Sequence, residues 1–378
     1  MFKIKKFILA SVIFASCLYV SNMVANYVFV QDTSTDATGE VEVKDRSYEV
    51  NNIVLTAGYS DTSCSVQDFD RNDISSNKEG IKNFFVEDEN VTDDYGNHFV
   101  QLKKYYVNMS QNDAGIITYK LSHTKVDNKY FVCPYFLDKD GNEIAYAYYG
   151  KYKGNVNDNK LCSISGVTPS YLKTIDAYRN YARANGDEYH QTDWCAVFTA
   201  QIMYMCTYKT TDIPYSTYRN CESETGEGTQ FLGIEDLVGN GYEFVDGIVF
   251  KTDGSSTLSG SSISYANKIS DYASSITSNT TTLTGAIGAN GEYISKMYYS
   301  DGKPALSIFP KELSGNFSTY YCDAFYFSSR AQNNVIYWGS QGSFASGGLF
   351  SLGCDCSWSY VSSIVGSRLH AKTLNLES

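Results

Sequence analysis

The 378-residue chain is poor in histidine, with four, and in proline, with five. So few imidazoles argue against a many-histidine metal centre. No basic run follows Lys6, and acidic residues outnumber basic ones by 42 to 30, a net charge of −12. With a pI near 4.8, this balance argues against nucleic acid as the main partner. The ten cysteines show no repeated CxxC pair, which argues against a zinc ribbon. Asp70, His98 and the scattered serines form no nucleophile elbow. Asp138, Asp140, Asn142 and Glu143 lack the other ligands of an EF-hand and read as a turn. What is abundant is tyrosine, with 33, and glycine, with 29. Together with serine these favour β structure and adaptable binding surfaces. Hydrophobic residues at 43% and charged residues at 19% support a packed core. The length suits one large domain or two ordinary ones.

Residues 1–25 read as an export signal or membrane anchor, with Lys3, Lys5 and Lys6 ahead of the apolar run Phe7 to Val20. Three outcomes stay open: cleavage after Ala25, lipidation of Cys17 in Phe14-Ala15-Ser16-Cys17, which resembles a bacterial lipobox, or an uncleaved anchor reaching Val30. Each predicts an exported protein at the cell surface or held at the membrane through its N-terminus. Export permits disulfides, but Cys354 and Cys356 stand two apart, and a bridge between them would be strained.

Residues 26–50 are polar and acidic and read as a linker. Short alternating segments at 99–102, 105–109 and 116–121 predict a β-rich module over 51–165. Asp140-Gly141 marks a hairpin turn. Helical spacing follows over Thr168 to Gly186, with Ser170 as cap, and over Trp194 to Tyr208. From Ile234 the helical period fades into Gly-rich, aromatic β sequence, and the Ser/Thr-rich stretch 252–284 reads as a surface insertion.

Three groups of residues then resemble one family. Gly233 to Ile248 (GIEDLVGNGYEFVDGI) is similar to the "GIENLxGNxWEWVDGI" segment of proteins related to the formylglycine-generating enzyme. Gly348-Leu349-Phe350 followed by Gly366-Ser367-Arg368-Leu369 resembles the "GLF…IGSRL" ending of the variable proteins of diversity-generating retroelements and related phage tail fibre proteins. Tyr181-Ala182-Arg183 with Tyr189-His190-Gln191 resembles their "YAxxRGxGWHQ" segment, and residues 130–154 look like the β module that precedes it. The resemblance spans roughly 95–370. Tyr242 and Phe244 depart from the tryptophans of the family pattern, and Gln341 departs from its "GGSW" run.

The resemblance implies an α+β fold, with a C-type-lectin domain over 166–378 behind a small mainly β domain. It implies a C-terminal surface for a protein or glycan ligand on another cell or host, diversified by a retroelement. Residues 338–365 suit that role, because aromatics alternate with Ser and Gly around a single charge, Asp355. The candidate ligand-binding residues are Ser340, Gln341, Ser343, Ser346, Asp355, Cys356, Trp358, Tyr360 and Ser362. Family positions also fall at Gly342, Gly353 and Ile364. Gly239, Asn240, Asp246, Gly247, Gly366 and Arg368 are expected to be structural, and Glu243, Asp246 and Arg368 to satisfy one another inside. No cofactor, metal or catalytic residue is expected. Two alternatives stand beside the receptor reading: a phage tail or fibre receptor-binding protein, and a formylglycine-generating-like oxidase using Cys354 and Cys356, which lack a His or Lys within 338–365 to activate them.

Overall fold

The computed structural model describes residues 34–35, 41–42, 49–284, 288–340 and 347–374. Gln341, Ser343, Ser346, Gly342 and Cys17 lie outside them. The chain divides into two units, 1–48 and 49–378. In the first, Ser34–Thr35 pairs with Val41–Glu42. Among the described residues no helix is long and apolar enough to cross a membrane.

The second unit rests on three sheets. In one, Asn52–Ala57 and Ile117–Ser122 pair in an unbroken antiparallel register, with Ser65–Gln67, Tyr106–Gln111 and Phe131–Val132 beside them. Alternation places Ile53, Leu55 and Ala57 on the buried face. A second sheet runs Tyr189–Gln191, Arg368–Ala371, Tyr146–Lys153, His98–Lys103 and Val86–Thr92. The expected boundary at 165–166 runs through this sheet, because its strands come from both sides of it. The third sheet has seven strands, built around Tyr242–Thr252 and Gln332–Trp338. Val365–Gly366 joins it in parallel, with Tyr242 opposite Val365 and Glu243 opposite Gly366.

Helices are few. Trp194–Tyr208 is the longest, capped by Asp193, whose side chain accepts from Ala196 N, and closed by Lys209 at φ 57°. All but its last residue are buried. Ile175–Arg183 is capped by Thr174 rather than Ser170, because the chain over 168–174 is not helical and Leu172 sits at φ 59°.

The α+β class with a C-type-lectin domain is therefore corrected. Among the described residues strands take 34% and helices of all kinds 14%, and three α-helices of 8, 9 and 15 residues occur. The fold is mainly β, because apolar alternation across three sheets, rather than helix faces, supplies most of the core.

The Ser/Thr-rich stretch is also more ordered than its composition implies. Ser262–Tyr265 pairs with Tyr242–Thr252, while Leu258, Ile263, Tyr265, Ile269, Tyr272 and Leu283 are buried.

Candidate functional site

The predicted surface is assembled across neighbouring interior strands of the seven-stranded sheet. Tyr337 lies opposite Gly353 in the register. A Cβ at Gly353 would sit 1.9 Å from the Tyr337 ring. The glycine therefore lets that ring lie across the neighbouring strand, where its hydroxyl donates to Asp355 Oδ1 at 2.8 Å. Tyr242 meets Tyr337 edge-on at 5.1 Å, and Tyr360 stacks on it at 6.5 Å. Three tyrosines and Asp355 thus form one row. Burial, helped by the Asp355 charge, pushes the Tyr337 phenol well up.

The loop after Leu352–Cys356 covers this row, turns on itself and is fastened to neighbouring chain at its far end. Tyr360 N donates to Ser357 O, Leu172 N to Ser362 O, and Tyr242 N to Ile364 O, at 2.8 to 3.0 Å. Val361 is 49% exposed, and Asp355, Ser357, Ser359 and Ser363 are exposed. Trp358 is half-buried and packs on two core clusters, with the Arg179 guanidinium 5.9 Å over its ring. Its Nε1 is buried without a partner.

Of the predicted ligand-binding residues described, Asp355, Cys356, Trp358, Tyr360 and Ser362 share this surface. Ser340 does not: it is wholly buried beyond the end of Gln332–Trp338, where its side chain cannot meet a ligand. At Gly353, likewise, a side chain would collide with the Tyr337 ring where it lies. Tyr337 itself was missed. Its only sequence signal is a glycine on another strand, and that is read only once the register is known.

Beneath the surface lie the structural motif residues. Asp246 takes two bonds from Arg179, at 2.7 and 2.8 Å, and one from Gln191 Nε2 at 3.0 Å. It thereby fixes the guanidinium that faces Trp358. Glu243 accepts from Lys153 at 2.7 Å, Arg368 at 3.0 Å and Thr192 at 2.5 Å, all buried. Burial alone would raise the Glu243 carboxyl, but Lys153 and Arg368 outweigh it and hold it at about 2. Burial pulls the Lys153 ammonium down. Arg368 also donates to the carbonyls of Gly150, Lys151, Glu235 and Asp236. Gly239 and Asn240 turn the chain at positive φ, and the Asn240 amide bonds Ser223 and Asp236. A Cβ at Gly247 would meet the Tyr272 ring at 2.7 Å, and one at Gly366 would stand 3.0 Å from Ser170 O.

The thiols are not activated. Cys354 is wholly buried, and burial pushes its thiol well up. Burial, with Asp355 beside it, raises Cys356 to about 12. A thiol in that state offers little thiolate at neutral pH.

A separate cleft of about 390 Å³ opens where Tyr204, Tyr208 and Phe231 cluster beside Leu237. Tyr208 is 45% exposed at the helix end. Compared with known protein families and with curated proteins, the chain matches none.

Proposed function

We propose that the protein is a surface-displayed ligand-binding protein, with its ligand surface formed by Tyr337, Asp355, Trp358, Tyr360 and the loop 357–364. One observation carries this reading. A tyrosine row and a carboxylate lie beside exposed serines and Val361, on a loop that turns on itself and is tied to neighbouring chain by backbone bonds at Ser362 and Ile364. Rigid aromatics give contact area at low entropic cost, and serine hydroxyls adapt their hydrogen bonds. A preorganised loop also loses little freedom on binding. The N-terminal Lys-rich apolar segment supports export to the cell surface. On this reading the partner is a protein or glycan on another cell or host.

The test replaces Tyr360 with Ala and Val361 with Asp in one chain. Screened against glycans and intact cells, the double variant loses binding that the native chain shows, with Tm shifted by only a few degrees. A variant that binds as the native chain does would sink the assignment. Diversification by a retroelement is tested by deep resequencing of the gene's 3′ end across one population. Substitutions should fall at exposed codons such as those for Ser357, Ser359 and Val361, and spare Gly353 and Leu352. A uniform sequence means one fixed ligand.

A further inference from the structure

The cleft of about 390 Å³ shares no residue with the proposed ligand surface and is built on the end of the longest helix. Tyr204 and Tyr208 stand four residues apart in the last turns of Trp194–Tyr208, so their rings share one helix face, 4.8 Å between centres. Phe231 joins them at 5.4 and 5.8 Å. A tight hairpin places it, Gln230–Phe231 against Ile234–Glu235, with turn residues Leu232 and Gly233 both at positive φ. Ile213, Leu237 and Val238 extend the apolar lining.

The polar groups of the cleft are unevenly balanced. Tyr204 donates to Asp212 O, Thr217 to Pro214 O, Thr229 to Thr217 O and Gln230 Nε2 to Glu235 Oε2. These donors are spent inside the protein. Asp236 also lines the cleft, but Arg219 meets it at 3.4 Å. Asp212 is a lining residue with an exposed position. Desolvation by the walls pushes its carboxyl up, opposed by a bond from the Cys322 thiol and by no cation. The cations of this region are engaged elsewhere. Arg219 faces Glu235 and Asp236, Lys209 donates to Ser75 Oγ at 2.8 Å, and Lys78 stands 6.0 Å from the centre of the Tyr208 ring. The last contact shows that this ring draws an ammonium.

We propose that this cleft is a second binding site, for a small primary amine with an aromatic body. Its ring lies on Tyr204, Tyr208 and Phe231, and its ammonium is held by Asp212. The volume is that of a small-molecule pocket. An apolar lining with one carboxylate left without a cation, among the described residues, is matched by a cation on an apolar body. A saccharide would need donors from the walls for its hydroxyls, and four side chains of the lining have already committed theirs. The site is independent of the surface at Tyr360, so either can fail alone.

The experiment titrates the full chain with phenethylammonium, read by calorimetry and saturation-transfer NMR. Phenylacetate and phenethyl alcohol are its anionic and neutral matches, and acetyl-lysine amide is an ammonium without a ring. Phenethylammonium should bind more tightly than each of the other three, by about tenfold or more. Asp212→Asn should weaken it about tenfold and leave phenethyl alcohol unchanged. Tyr208→Ala should weaken both. Each variant changes an exposed residue, so a Tm within a few degrees of the native one separates lost binding from lost fold. No binding of phenethylammonium, equal affinity for phenylacetate, or an Asp212→Asn variant that binds the cation as the native chain does overturns the site. Equal affinity for the lysine amide overturns the assignment to an aromatic amine.

Discussion

Glu243 shows how one carboxylate can decide the acid stability of this protein. Its neighbours Lys153 and Arg368 are both buried and both positive. In the unfolded chain its carboxyl titrates near 4.5, and in the folded chain at about 2. The folded state therefore binds the proton less readily, and the stabilisation is complete above pH 4.5. It is lost as pH falls from 4.5 towards 2. The shift corresponds to about 3 kcal/mol. Glu243→Gln should cost about 3–5 kcal/mol near neutral pH, because two buried cations lose their counter-charge. The variant's Tm should also fall less steeply than the native one between pH 4.5 and 2. Thermal melts at half-unit pH steps measure both effects, and parallel curves would show that Glu243 is not the group responsible.

At the scale of elements, one turn recurs three times, at Asp68–Asn72, Asp93–Asn97 and Asp138–Asn142. In each, Asp N donates to Asn O, and Asp O accepts from the N–H of the fourth residue. Asp Oδ1 accepts from Asn N, and Oδ2 from Asn Nδ2. The fourth residue is left-handed in every case, as Arg71, Gly96 and Gly141. Equal sequence does not mean equal energy. Asp93 is buried and also accepts from the Tyr189 hydroxyl at 2.8 Å, whereas Asp68 is partly exposed. Asp93→Ala should cost about 2–4 kcal/mol and Asp68→Ala about 1 kcal/mol by urea unfolding. Equal costs would mean that water replaces the lost acceptor at both turns.

Such local chemistry was legible in the sequence, as were the strands near 99–102 and 116–121 and the helix Trp194–Tyr208. Non-local pairing was not. The apolar residues of 258–283 stand among serines at no regular period, so their docking on the sheet left no pattern. The helical spacing of 168–186 overran the true helix, since Leu172 continues the pattern in a non-helical conformation. The candidate surface was half legible. Its loop carried a compositional signal, but Tyr242 and Tyr337 reach it only through the register that sets Val365 beside Tyr242 and Gly353 beside Tyr337.

For the whole molecule, the second sheet settles where the chain can be cut. Arg368–Ala371 pairs with Tyr146–Lys153 on one side and Tyr189–Gln191 on the other. All four of its residues are buried, and Arg368 bonds four carbonyls on two separate stretches of chain. The C-terminal strand is thus an interior strand, and its contacts are among the longest in sequence. A chain ending at Ile364 would expose the edge of Tyr146–Lys153 and leave Glu243 with Lys153 alone, so it should fail to fold and should aggregate through that edge. A chain of residues 51–165 should fail for the same reason, since its second sheet lacks two of five strands. A chain beginning at Glu49 keeps every strand of the three sheets and should melt cooperatively within a few degrees of the full protein. Size-exclusion chromatography and calorimetry on the three truncations distinguish these outcomes. A folded, monomeric 51–165 would show that the chain carries two independent cores rather than one.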